Sequence, residues 1–177
     1  MSDSKHREHP SVTVDMILVA PLEGQLKVLL IKRKRPPFEG CWAIPGGFVE
    51  PNEPLESAAR RELREETGAE PLHLKQLHTF GDPGRDPRGW TISVAYLALL
   101  SEDEARALPL QAGSDADQVG WFDLHALPPL AFDHADILGH AFRHLLTNKH
   151  PEPVEGCGHP ADELRLPARS PPAAPTC

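Results

Sequence analysis

One helix of this sequence carries its acids on the side that should face the core. Glu53–Gly68 is rich in helix formers, with Pro54 in the first turn and Gly68 just past the end. At roughly 100° per residue, Glu62, Glu65 and Glu66 share a sector with Leu55, Ala58 and Ala59, whereas Arg60 and Arg64 lie opposite. A glutamate-rich helix is ordinarily a solvated face laced with i,i+4 pairs. Here the like charges repel by roughly 1 kcal/mol per pair even in water. Placing them beside a core without partners costs more, and they sit at the helix end whose dipole disfavours negative charge. A cation is therefore expected among them, and carboxylate oxygens suit a hard divalent ion, Mg²⁺ or Mn²⁺. In the preceding loop, Gly46 and Gly47 allow close approach of backbone, and a carbonyl there could serve as a further ligand. A pairing of Glu53 with Arg61 would orient Arg61 and hold that loop against the helix.

The rest of the chain supplies the sheet this helix needs. Ser11–Ala20 and Leu26–Lys34 read as a hairpin, and the VLLI run in the second strand predicts burial on both faces. Cys41–Val49 reads as a short extended piece broken by Pro45-Gly46-Gly47, and Leu72–Phe80 and Thr91–Leu100 as two further strands. Residues 101–117 read as loop, Val119–Phe122 as a short strand, and Ala135–Asn148 as an amphipathic helix through Leu138, Ala141, Phe142 and Leu145. The sum is one α/β domain with a mixed sheet, expected over residues 11–150, after a flexible N-terminus at 1–10. Residues 151–177 contain seven of the 20 prolines and read as a disordered tail.

Charge and cysteine usage narrow the partners. The formal net charge of −8 argues against nucleic acid. No apolar run nears the roughly 20 residues of a membrane span. Cys41, Cys157 and Cys177 offer neither metal spacing nor a disulfide framework, so a cytoplasmic setting is expected.

Gly47, Glu53, Arg61-Glu62-Leu63, Glu65-Glu66 and Gly68 stand at the spacings of a signature box, and on these residues the chain resembles the Nudix hydrolase superfamily. The one departure is Ala69, where the pattern prefers a larger aliphatic residue. The resemblance implies a Nudix-type α/β/α sandwich and divalent-cation-dependent hydrolysis of a nucleoside diphosphate linked to another moiety. It further implies that Glu62, Glu65 and Glu66, with a backbone carbonyl at Gly46, hold Mg²⁺ while water attacks phosphorus in line. The base is left open between Glu62 and an acid from a later loop, where Asp115 and Asp117 are candidates. A homodimer is also implied.

The loop GDPGRDPRG at 81–89 places Arg85 and Arg88 beside Asp82 and Asp86, and guanidinium groups can clamp a diphosphate. Composition alone favours a self-neutralised turn. Together with Leu130-Ala131-Phe132-Asp133-His134 and the Trp42–Phe48 segment, this loop is similar to the ADP-ribose pyrophosphatase branch. That branch splits ADP-ribose into AMP and ribose 5-phosphate, so a nucleotide-sugar substrate is implied. Arg85, Asp86, Arg88 and the strand-end Arg33 are the candidate substrate contacts. A house-cleaning hydrolase of oxidised or noncanonical nucleoside triphosphates is the nearest alternative. A nucleotide-sensing, non-catalytic regulator is the second, disfavoured by the retained glutamates, the net charge and the shortness of the tail. His140 and His144 read as surface residues rather than a metal pair, and Trp42 and Trp90 as core or interface.

Overall fold

The computed structural model describes residues 9–71, 73–113 and 115–148. Most of the expected 1–10 segment and all of the expected 151–177 tail lie outside the described residues. Strands β1 (Ser11–Leu22) and β2 (Gln25–Arg33) form the expected antiparallel hairpin. Its two-residue turn places Glu23 and Gly24 at φ 54° and 74°, the left-handed pair that matches strand twist. Two short strands follow, β3 (Trp42–Ala43) and β4 (Gly46–Phe48), then helix α1 (Leu55–Thr67), β5 (Lys75–Phe80) and β6 (Thr91–Leu99). Helix α2 (Glu102–Ala107), strand β7 (Ala116–Asp123) and helix α3 (His134–Asn148) complete the order.

The seven-stranded sheet runs β3-β2-β1-β6-β5, with β4 added to β1 and β7 to β2. The β1–β6 pair is parallel and the others antiparallel, so the sheet is mixed. Alternation along β1 sorts the two faces. Met16, Leu18 and Ala20 pack with Ala58, Ala59 and Leu63 of α1. Ile17 and Val19 pack with Ile137, Leu138 and Ala141 of α3. Val28 to Ile31 are buried throughout, as a strand covered on both faces must be. The architecture is the expected α/β/α sandwich.

Helix α1 is trimmed relative to its expected span of Glu53–Gly68. Pro54 is extended at ψ 141° and serves as the N-cap, and Gly68 ends the helix at φ 74°, its N–H donating to the Arg64 carbonyl. The C-terminal carbonyls are then covered by the segment after α2: Gln111 N–H donates to Thr67 and Gly113 N–H to Glu66. Two sequence expectations need correction. Residues 101–117 are not all loop, because a capping box between Ser101 and Glu104 starts α2. Cys41, buried just before β3, is disulfide-bonded, against the reading that the cysteines offer no disulfide framework. Cys157 and Cys177 lie outside the described residues.

Candidate active site

Helix α1 presents its acids to the β4 edge of the sheet. Glu66 is largely buried, and its carboxylate accepts a 2.8 Å hydrogen bond from Gly46 N–H. Burial pushes its carboxyl up to about 8; the Gly46 bond opposes this, and the charges of Glu62 and Asp15 add to it. The Glu62 carboxyl is likewise raised by burial, partly offset by Arg61. Glu65 stands at the exposed rim with 55% of its side chain accessible, so the inward sector inferred from the helical wheel narrows to Glu62 and Glu66. Arg60 and Arg64 occupy the outer face as expected, paired with Glu56 and Glu70.

The Glu53–Arg61 pairing is present. Arg61 binds both oxygens of Glu53 at 2.9 Å, donates to the Phe48 carbonyl at 3.1 Å and to Glu62 at 2.7 Å. One guanidinium thus fastens the 48–53 loop to the helix and orients Glu62. With that fork in place, the Glu53 carboxyl is held at about 2.

Gly46 and Gly47 face opposite sides of β4. A Cβ on Gly46 would strike the Val14 carbonyl and the Asp15 carboxylate; one on Gly47 would strike the Glu62 carboxylate. Two different outcomes are expected. Gly46→Ala meets immovable backbone and lowers Tm. Gly47→Ala meets the end of a side chain, so it displaces Glu62 and lowers kcat with a smaller change in Tm. Thermal melts and steady-state rates on the two variants check this, and equal behaviour would contradict it.

On the α3 side of β4 lies a cleft lined by Asp15, Arg33, Gly46, Arg88, Phe132 and His134. Asp15 is a buried carboxylate on the central strand, and Ser93 Oγ donates a short hydrogen bond to it. Burial raises its carboxyl, opposed by Ser93 and by the nearby Arg85 and Arg88. His134 Nδ1 accepts from Ile44 N–H at 2.9 Å, which leaves the hydrogen of the neutral ring on Nε2, 3.8 Å from Asp15. Burial depresses this histidine to about 3. Phe132 adopts φ 51°, a left-handed conformation uncommon for a bulky residue. It is fixed from both sides by the Ala131–Trp42 and His134–Ala131 backbone hydrogen bonds.

The arginines divide by role. Arg88 is held by Asp86, which takes hydrogen bonds from its guanidinium and its backbone N–H. Burial of Asp86 would raise its carboxyl, but these bonds hold it below the ordinary range. The Arg88 guanidinium lies 4.8 Å from the Phe48 ring and 5.1 Å from Phe132; that of Arg33 lies 4.9 Å from Phe132. Arg33, at the end of β2, is half-buried and donates to the carbonyls of Pro37 and Arg35. Arg85 differs from expectation. Its guanidinium forks onto Asp133 at 2.7 and 2.8 Å, and only its backbone N–H reaches Asp82.

Other candidates fall outside this site. Asp115 pairs with Arg35, and Asp117 is exposed on β7. His140 stacks on His78 with centroids 4.3 Å apart. Trp42 packs edge-on against Phe122, whereas Trp90 is exposed. Asp15, Ser93 and the pairing of Asp133 with Arg85 were missed from the sequence. The available signal for Asp15 was a lone carboxylate inside the apolar run VTVDMILVA.

A sandwich that sets buried carboxylates on one side of a glycine strand and two guanidinium groups on the other is built to handle an anionic, phosphate-bearing compound. The NUDIX domain model matches residues 9–145, and the chain belongs to the Nudix family; it is a Nudix hydrolase. It is 47% identical over 130 residues to an ADP-ribose pyrophosphatase of Methanocaldococcus jannaschii, covering 73% of this chain and 72% of that protein. It is 40% identical to the ADPR responsive transcriptional repressor NtrR of Acinetobacter baylyi over 77% of this chain, spanning about half (54%) of the repressor. The NUDIX domain of Shewanella oneidensis NrtR, solved in complex with ADP ribose, superposes with a TM-score of 0.73 at 37% identity, covering 81% of this chain and 94% of that one. No helix among the described residues is long and apolar enough to cross a membrane.

Proposed function

We propose that this Nudix hydrolase cleaves ADP-ribose to AMP and ribose 5-phosphate with Mg²⁺ or Mn²⁺ as cofactor. The observation that carries the reading is the convergence of Glu62 and Glu66 from one side of β4, and of Arg33 and Arg88 from the other. The 47% identical pyrophosphatase supports the substrate class.

The donor set fits a hard divalent ion. Glu66 and Glu62 are desolvated acids set against a glycine pair that leaves the space open. Among the described residues no three His, Cys, Asp or Glu side chains form a ready cage, and backbone at Gly46 and substrate oxygens would be the further donors. Glu62, Glu66 and the rim carboxylate Glu65 would hold the ion. When bound, it offsets charge on phosphate oxygens and makes water more acidic. Arg61 fixes Glu62, Asp86 aims Arg88, and Arg33 and Arg88 bind phosphate oxygens. Arg85 keeps the 81–89 loop against the start of α3.

Glu66 links the ion to pH. With its folded value near 8 and an ordinary value of 4.5, the metal-free fold binds the extra proton between these limits. Its contribution to stability is present at low pH and is lost as pH rises through about 8. Mg²⁺ favours the carboxylate, so its stabilising effect on Tm grows from pH 6 to pH 9 and its uptake releases protons. Melts with and without Mg²⁺ across that range check this; a constant increment would contradict it.

Product analysis tests the function. AMP and ribose 5-phosphate from ADP-ribose, abolished by chelator, are expected. A nucleoside monophosphate with pyrophosphate from triphosphates would favour the house-cleaning alternative. Binding of ADP-ribose without turnover would favour a regulator, the reading supported by the repressor relative. A homodimer in solution is proposed as well.

A further inference from the structure

Asp15 has no task in the scheme above, yet it is a buried acid lining the cleft. It interrupts the best-buried strand of the sheet with a carboxylate that is 6% exposed. A carboxylate has about four acceptor sites, and among the described residues Ser93 is the one side-chain donor that hydrogen-bonds to it. The neutral His134 points Nε2 at it from 3.8 Å, outside hydrogen-bond range. Gly46 keeps the space in front of it free, since a Cβ there would collide with Asp15 Oδ1. A buried acceptor with spare capacity, opening into a cleft, is stabilised by donors from a ligand.

The neighbours of Asp15 define those donors. Arg33 and Arg88 line the same cleft and share the Phe132 ring, so the ligand must offer anionic oxygens within one short group of its donors. A nucleobase carries donors without adjacent anionic charge. A sugar phosphate carries both, hydroxyls beside phosphate.

We infer that Asp15 determines specificity by accepting hydrogen bonds from the hydroxyls of a sugar phosphate, whose phosphate lies against Arg33 and Arg88. Ser93, which donates to the carboxylate, is a positioning residue that fixes its rotamer. This rests on the ADP-ribose reading and adds to it which part of the substrate enters the cleft: a ribose with its phosphate, not the base.

The test is direct binding, independent of turnover. Ribose 5-phosphate, 2-deoxyribose 5-phosphate and inorganic phosphate are titrated by calorimetry into the full chain and into Asp15→Asn. The full chain is expected to bind ribose 5-phosphate at least about tenfold more tightly than either of the others. Asp15→Asn should erase that preference while leaving phosphate affinity within about twofold. Equal affinities in the full chain overturn the inference whatever the variant does, as does a preference that survives in folded Asp15→Asn. Ser93→Ala, a milder change, should reduce the preference if Asp15→Asn does not fold, and an unchanged preference there also counts against it. A retained preference in a chain that does not hydrolyse ADP-ribose would support this assignment and reject the proposed reaction alone.

Discussion

Glu62→Gln lowers kcat on ADP-ribose by at least about 10²-fold at saturating Mg²⁺ while Tm stays level or rises. Preorganised charge at the reacting phosphate is among the strongest contributions to catalysis, and the variant removes a full negative charge from the group that would anchor it. The fold has little reason to suffer. Gln is nearly isosteric, so it still fits against Gly47, and its carbonyl can still accept from Arg61. The Glu53–Arg61 fork and the Arg61 bond to the Phe48 carbonyl do not involve Glu62, so the loop keeps its anchor. The variant also deletes a desolvated acid, whose raised carboxyl marks a cost to the metal-free fold. Glu65→Gln makes the useful contrast: its side chain is at the rim and its contact with Arg61 is long at 3.4 Å, so its effect on kcat is smaller. Near-normal turnover by Glu62→Gln with excess Mg²⁺ would remove this carboxylate from the chemistry.

The helix that carries Glu62 was legible because its information is local. Pro54, Gly68 and the spacing of the acids lie within one short stretch, where periodicity and capping rules apply directly. The hairpin was legible for the same reason, since both its strands lie within one short stretch. What the sequence concealed depends on pairing across the fold. Asp15 meets Ser93 and His134 only because β1 and β6 run parallel in register and α3 begins beneath them. Hydropathy could not assign Asp15 a face, since β1 is covered on both sides and its alternation is masked. Helix α2 is a different case: its Ser101–Glu104 capping box was readable, and the acidic composition obscured it. The arginine loop shows the limit most clearly. Nearness in sequence pointed Arg85 at Asp82, yet its carboxylate partner is 48 positions away.

That long-range pair makes the second strong expectation. Arg85→Ala should destabilise the fold by about 3 kcal/mol, because it strands the Asp133 carboxylate beneath the loop. For a domain of this size that corresponds to a Tm lower by about 6–12 °C. The Arg85 side chain is 6% exposed and that of Asp133 17%, so solvent offers little compensation. Removing both partners should cost less than the sum of the single changes, since the double variant leaves no unpaired buried charge. Substrate binding suffers indirectly. Asp133 lies between Phe132, which carries the Arg33 and Arg88 guanidinium groups, and His134, which faces Asp15. Loosening it should raise KM for ADP-ribose more than for a nucleoside triphosphate and leave the carboxylates of α1 in place. A raised KM with Tm unchanged would instead make Arg85 a direct phosphate contact, with its fork onto Asp133 opening when substrate arrives.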